Sequence, residues 1–430
     1  MRTGDQAIPT ITGPRPPRPA GWLADLWVAV ERLPTTAYHW DDYQASWDAP
    51  GARFQWDDWT DEDALIDATC DVAGLELETG APDAEGRIDA GRVVMTLRND
   101  DGQWSQYDTF GRLTAYEPGS RLAVWATIAG PAWWLFDGKV ASWREQVDGT
   151  VEVEAFDVTA EFNTGLGEWQ PGTYGQTPHN RIGAILDLVG YTGPRRLDVG
   201  ANTLHAYTST ATPLEEMQSV ALSDGGFVGC DADGTWLFRN RGWPGGRADQ
   251  PVIRKFSDNV CGVQSIVWDL ELVTDDEVMV TDARLENVAK VAVVSSTPAG
   301  ARHRYDRTGD QWITVGEGQA LADGIVARRS GAYLRLDGFT LHLHDPTQNL
   351  WREGIDLRLG DLVRFVHDHP AVDGTLARFD LNLVVQALRH AITPTEWTVA
   401  VATTRAVGNN VTYRWDSPVR WDTPPAVWGE

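Results

Sequence analysis

From Asp67 onward, apolar residues recur at alternate positions in short runs, each closed by a turn-forming cluster, a pattern that allows little other than antiparallel β-sheet. The first runs fall at residues 72–77, 93–97, 122–128, 135–142 and 151–156. Turn signals separate them: Asn99-Asp100-Asp101-Gly102, Pro118-Gly119, Asp137-Gly138 and Asp148-Gly149. This spacing predicts a small antiparallel barrel over residues 61–165. The pattern returns at 288–295, 339–344, 362–366, 381–388 and 397–402, interrupted by one helical repeat at 317–329 that turns Leu321 and Ile325 inward. A second barrel carrying one helix is expected over 288–405.

Between them, residues 166–287 change to a helical period. Thr177-Pro178 reads as an N-cap with proline in the first turn, and Ile182, Ile185, Leu186 and Val189 form one apolar face ended by Gly190. Thr212-Pro213-Leu214-Glu215 has capping-box spacing and opens a helix through Met217 and Ala221 to Gly225-Gly226. Strands at 227–230 and 235–238 then flank Asp231-Ala232-Asp233-Gly234 as a hairpin. The expected fold class is therefore mainly β, with two small barrels and an α+β insert of two helices and a hairpin.

The chain has 21 tryptophans, and at its two ends they sit in short Trp-Asp units within Pro- and Gly-bearing sequence. Trp40, Trp47, Trp56 and Trp59 lie near the front, and Trp415, Trp421 and Trp428 near the back. An indole beside an acid in such sequence suits a contact surface better than a core. Residues 1–60 and 406–430 are accordingly expected to be extended arms, with these seven indoles as assembly contacts. The first arm opens on a polyproline-like leader with Pro14, Pro16, Pro17 and Pro19, which lacks the apolar stretch of a signal peptide. Trp125, Trp143, Trp236 and Trp397 fall within expected strands and are read as barrel packing.

With 62 acids against 36 Lys+Arg, the formal charge of −26 argues against direct nucleic-acid binding, which needs a basic surface. No run reaches the roughly 18 apolar residues of a membrane span. Cys70, Cys230 and Cys261 are widely spaced and read as free thiols. Asp231-x-Asp233-Gly234 lacks the later bidentate acid of a calcium loop and reads as a hairpin turn. His342-x-His344 and His367-x-His369 each place two imidazoles on one strand face, but the sequence supplies no evident third or fourth ligand, so no metal site is expected. No nucleophile elbow, P-loop or dinucleotide motif is present, and no carboxylate pair stands out. Neither an enzyme nor a cofactor is expected.

Four segments, in this order, carry a resemblance to a known family. Val94-Met95-Thr96-Leu97-Arg98-Asn99-Asp100-Asp101-Gly102-Gln103-Trp104-Ser105 resembles a strand-and-turn element of minor tail proteins from phages of actinobacteria. Pro118-Gly119-Ser120-Arg121-Leu122 with Leu135-Phe136-Asp137-Gly138-Lys139-Val140 is similar to their barrel segment. Leu357-Arg358-Leu359-Gly360-Asp361-Leu362-Val363 resembles their Leu-Gly-Asp-x-Val strand entry, and His390-Ala391-Ile392-Thr393-Pro394-Thr395-Glu396-Trp397 their closing element. The match covers about residues 61–405. It implies two related barrels of the phage tail-hub type, assembled as a homotrimeric ring that joins the tail tube to the tip and lines the DNA exit channel. The implied partners are distal tail and tube proteins, the tape-measure protein and other tail-tip or fibre proteins, with DNA only as passing cargo. The implied location is the virion tail tip, after assembly in the host cytoplasm. The rival expectation is a carbohydrate-binding tip protein that stacks exposed indoles on the host cell wall.

Overall fold

The computed structural model describes residues 24–31, 65–80, 89–106, 116, 118–128, 132–241, 254–257, 268–273, 280–297, 303–329, 335–344, 350–370, 376–405 and 414–415. The first half supplies β1 (Asp25–Glu31), β2 (Leu65–Asp67), β3 (Val72–Gly80), β4 (Arg92–Arg98), β5 (Arg121–Thr127), β6 (Ala132–Glu145) and β7 (Thr150–Asp157). They pair antiparallel in the order β3-β4-β7-β6-β5-β1-β2. Alternation decides their facing. Leu75 and Leu77 of β3, Val93, Met95 and Leu97 of β4, and Val151, Val153 and Ala155 of β7 are buried in one core, while Glu76, Glu78 and Glu152 point away. β1 corrects an expectation. Part of the segment read as an extended arm is a sheet strand paired with β5, because Leu26, Val28 and Val30 alternate and are buried.

The insert contains α1 (Pro178–Leu188), β8 (Arg195–Leu197), α2 (Pro213–Asp224), β9 (Phe227–Cys230) and β10 (Trp236–Arg239). The capping box forms as the sequence requires: Thr212 Oγ1 accepts from the Glu215 amide at 3.2 Å, and the Glu215 carboxylate accepts from the Thr212 amide at 2.8 Å. Gly225 closes the helix at φ +75°, where a side chain would be strained. Ile182, Ile185, Leu186, Met217, Val220 and Trp236 fill the insert's own core. β8, which pairs parallel with β10, is too short for any periodicity to announce it.

β11 (Arg254–Ser257) and β12 (Trp268–Val273) return the chain to the main sheet. Next come β13 (Asp282–Asn287), β14 (Ala292–Ser296) and β15 (Arg304–Asp310), a separate sheet ordered β14-β13-β15, and α3 (Val315–Arg329). Two expectations change here. The run at 288–295 is not one strand: Asn287 Oδ1 accepts from the amides of Ala289 at 3.1 Å and Val291 at 2.9 Å, and makes a turn of its first residues. The helix, read as part of a barrel, packs instead on this small sheet, where Leu321, Ala322, Ile325 and Val326 meet Ala283, Leu285, Val293 and Trp312.

The chain finishes with β16 (Arg335–His342), α4 (Trp351–Ile355), β17 (Leu362–Pro370), β18 (Leu376–Ile392), β19 (Trp397–Arg405) and β20 (Arg414–Trp415). β18 is the longest strand and has two partners in succession. Its residues 376–384 pair with β17, and its residues 387–392 pair with β3. β19 pairs with β18 across a bulge between Val385 and Ala387. The expected pair of separate barrels is thereby replaced by one 14-stranded sheet over one continuous core, and none of the sheets closes into a barrel among the described residues.

The Leu-Gly-Asp segment serves that bulge. The Gly360 amide donates to the Val385 carbonyl at 2.7 Å, and the Val385 amide donates to the Asp361 carbonyl at 3.0 Å. Gly80 ends β3 against the same point at φ +100°, where a Cβ would lie 2.2 Å from the Gln386 carbonyl oxygen and 2.6 Å from Leu359 Cδ2. Backbone cannot yield as a side-chain tip can. Gly80→Ala is expected to destabilise the fold by about 3 kcal/mol, combining a disfavoured φ with this collision. A denaturant melt checks it, and an unchanged midpoint would contradict the close approach.

Candidate functional site

Of the seven terminal indoles expected to make assembly contacts, Trp415 lies within a described strand, β20, opposite Ala377 of β18. Trp40, Trp47, Trp56, Trp59, Trp421 and Trp428 lie outside the described residues, as does Cys261. Cys70 is exposed and Cys230 buried, both as free thiols.

A second aromatic group lies on the sheet face turned away from the core, and sequence reasoning missed its first member. Because Leu26 and Val28 face inward, Trp27 faces outward beside Ala29, and its register partner is Trp125. The two rings stack with centroids 6.3 Å apart and planes 8° apart, and Trp125 meets Trp134 at 6.0 Å. Arg121 lies over the Trp134 ring at 6.0 Å and is held by Asp137 through bonds of 2.8 and 3.0 Å. Ala232, in the turn between β9 and β10, packs against this group. Trp125 is therefore packing, as read, but on the outer face.

The other expected packing indoles divide. Trp143 sits in the main core, stacked on Tyr116 at 5.1 Å and donating to the Trp104 carbonyl at 3.0 Å. Trp236 belongs to the insert. Trp397 is fully buried and donates through Nε1 to His390 Nδ1 at 3.2 Å. The Asn99–Ser105 element proves to be a device for burying Trp104: Asn99 Oδ1 accepts the Trp104 amide at 2.7 Å, and Trp104 Nε1 reaches Asp71 at 2.9 Å. Wherever a tryptophan side chain is described, it is buried or half-buried.

The insert meets the main sheet at a small cleft lined by Leu77, Thr79, Leu135, Asp231, Arg358 and His390. The β9–β10 turn is a hairpin turn, as read: the Asp233 carboxylate accepts the Thr235 amide at 3.0 Å, and the Asp231 carboxylate accepts the Ala232 amide at 2.8 Å. Asp231 also faces Arg358 at 3.7 Å and Arg196 at 3.9 Å, so the carboxylate that resembled a calcium ligand serves to dock the insert. Elsewhere Trp133 donates to Asp356 at 3.2 Å, and Arg254 pairs with the same carboxylate at 2.9 Å.

A buried polar group of the kind found in active sites lies where the insert helices meet the β13–β15 unit. Arg181 donates to Gln311 Oε1 at 2.7 Å and to the Thr173 carbonyl at 2.8 Å. Gln311 Nε2 donates to Glu216 at 2.8 Å, and the Tyr207 hydroxyl donates to the same carboxylate at 2.7 Å. Burial and the adjacent Glu216 charge push the Tyr207 phenol well up. Its polar groups bond to one another, so the group reads as a joint between two small cores rather than a reaction centre.

The two histidine pairs also separate. His342 and His344 meet Glu396, with one ligand atom from each of the three within 4.8 Å of the others. His367 and His369 lie on β17 opposite Phe379 and Ala377, and among the described side chains no such group includes His367. No helix among the described residues is long and apolar enough to cross a membrane.

No family model matches the sequence, and no curated protein matches it. Solved structures do match the fold. The tail protein from Neisseria meningitidis MC58 aligns with a TM-score of 0.57 and 12% identity, covering 89% of this chain and 97% of that one. The 43 kDa tail protein of prophage MuSo2 from Shewanella oneidensis aligns with a TM-score of 0.50 and 13% identity, covering 79% of this chain and 94% of that one. At such identities the likeness is one of fold.

His390 supplies the test of this region. Burial, reinforced by the Arg358 charge, pushes its imidazole down to about 3, from an ordinary 6.5. Between those values the unfolded chain takes a proton that the folded chain refuses, so stability is complete above pH 6.5 and is lost as pH falls toward 3. Asp157, which burial pushes up to about 6, acts in the opposite sense between pH 6 and 3.8. A comparison of variants removes that background. His390→Gln is expected to be less stable than the parent at pH 7.5, and to gain on it steadily at lower pH, by on the order of 4 kcal/mol across the full span. Parallel melts at pH 7.5, 6 and 4 read this difference, and a constant gap would contradict a neutral buried His390.

Proposed function

We propose that this chain is a structural protein of a phage tail, placed as a homotrimeric hub at the distal end, where it joins the tail tube to the tip and lines the DNA exit channel. The observation that carries the reading is the fold likeness to the Neisseria tail protein, which runs through nearly the whole of both chains. The sequence resemblance to actinobacterial-phage minor tail proteins, carried by short motifs within residues 61–405, points the same way.

In this reading the strands of the 14-stranded sheet, β1–β7 from the first half and β11, β12 and β16–β20 from the second, build the ring wall against their neighbours, and the helix-and-hairpin insert together with the β13–β15 unit stands outside it. A passage for DNA needs walls that do not hold phosphate. The charge of −26 suits one, because like-charge repulsion keeps the backbone from adhering during ejection. Distal tail and tube proteins, the tape-measure protein and tip or fibre proteins are the partners. The terminal Trp-Asp units dock into them, each indole filling a pocket while its acid keeps the free arm soluble. Such a role needs no catalytic group and no cofactor. A carbohydrate-binding role would rest on tryptophans other than those whose side chains are described, since every described indole is buried or half-buried.

Two experiments test the reading. Light scattering of the purified full-length chain is expected to give a trimer mass, and a monomer across the accessible concentration range would contradict the ring. β1 and β20 belong to the sheet, so the informative truncation removes residues 416–430. It is expected to leave the melting transition within about 0.5 kcal/mol of the parent, while tail assembly fails. Normal tails from the truncated chain would refute a docking role for Trp421 and Trp428.

A further inference from the structure

We infer that His342, His344 and Glu396 form a binding site for a borderline divalent transition-metal ion, of which zinc is the natural probe. The two imidazoles converge at the end of β16, where the residue between them is anchored. Leu343 between them is fully buried in the main core and packs against α4, where a Cβ on Gly354 would lie 2.5 Å from Leu343 Cδ2. Its amide donates to the Trp397 carbonyl at 2.9 Å. His342 is the last residue of β16 and His344 lies in the turn that follows it, and with Leu343 held inward between them both histidines remain half-buried. Their ring centroids are 5.9 Å apart.

The third ligand comes from a different part of the sequence, the turn between β18 and β19. That turn is held by its own bonds. Thr393 donates through its amide to the Glu396 carbonyl at 2.8 Å, and Thr393 Oγ1 accepts the Glu396 amide at 3.1 Å. The sheet register then brings the turn beside the histidines, because β16 pairs with β19 as far as His342 opposite Thr398. His342 Nδ1 lies 3.5 Å from the Glu396 carboxylate. In a tetrahedral zinc site, bonds of about 2.0–2.2 Å put ligand atoms roughly 3.3–3.5 Å apart, so this pair already has the spacing, and His344 offers its ligand atom within 4.8 Å of both. The Trp397 amide orients His344 through a contact to Nδ1 of 3.4 Å, long enough to be given up easily.

The donor set decides the class of ion. Two imidazoles and one carboxylate suit Zn²⁺ and its first-row neighbours, whereas Mg²⁺ and Ca²⁺ prefer all-oxygen sites. His342 is 28% exposed and Glu396 50%, which leaves an entry path and an open fourth position for water. A bound ion would clip the end of β16 to the β18–β19 turn.

The test titrates zinc chloride into the metal-free, full-length protein by calorimetry, with magnesium chloride in parallel. The expected result is one zinc per chain at micromolar affinity and no magnesium binding. E396Q is expected to weaken zinc binding by about ten- to a hundred-fold, and H342A/H344A to abolish the site. Half-exposed ligands allow both variants to fold, and each is checked by its melting curve in chelator. Absence of zinc binding to the parent protein, or unchanged binding in folded H342A/H344A, would overturn the assignment.

Discussion

The molecule depends on one crowded point in the backbone, where β18 changes partners. A single strand passes from β17 to β3 along one edge, and the change requires a bulge whose freed polar groups must be satisfied. Gly360 and Asp361 satisfy them on one side, while Gly80 brings β3 to the Gln386 carbonyl on the other. Leu359 adds the insert, since it packs in the insert's core and also touches the position that a Gly80 side chain would occupy. First half, second half and insert thus meet within a few residues. A break here would separate elements that no other strand pairing on this path holds together.

Much of this was legible in the sequence. Alternation located most strands of the main sheet, and the Thr212–Glu215 box and the Asp231–Gly234 turn formed as their chemistry demands. Short motifs were legible as patterns before their purposes were. The Asn99–Ser105 turn buries Trp104, the Leu-Gly-Asp segment closes the β18 bulge, and His390 accepts the Trp397 indole. What local pattern could not reveal is pairing between distant segments. Nothing in β3 or β18 alone says that they share an edge, so one sheet was read as two barrels. Val288 to Ser295 alternates like a strand, yet the Asn287 side chain captures its first amides and makes a turn.

The tryptophans show the same division between composition and context. Trp27 sits among proline- and tryptophan-rich residues and reads as part of an arm, but its neighbours Leu26 and Val28 place it on a sheet strand, stacked on Trp125. The histidine pairs looked equivalent in sequence. The β16–β19 register gives one of them a third partner, by bringing Glu396 to His342 and His344. Buried polar groups serve joints in this chain: Arg181, Gln311 and Glu216 connect two small cores, and Asp231 with Arg358 connects the insert to the sheet.

A chain whose described polar groups serve packing and joints fits the proposed structural role among tail neighbours. Its location in an image reconstruction of the intact particle tests that most directly. The account predicts three copies around the tail axis at the distal end of the tube, with the insert outward. Density for this chain on the capsid, or arranged along the tube in sixfold rings, would contradict it.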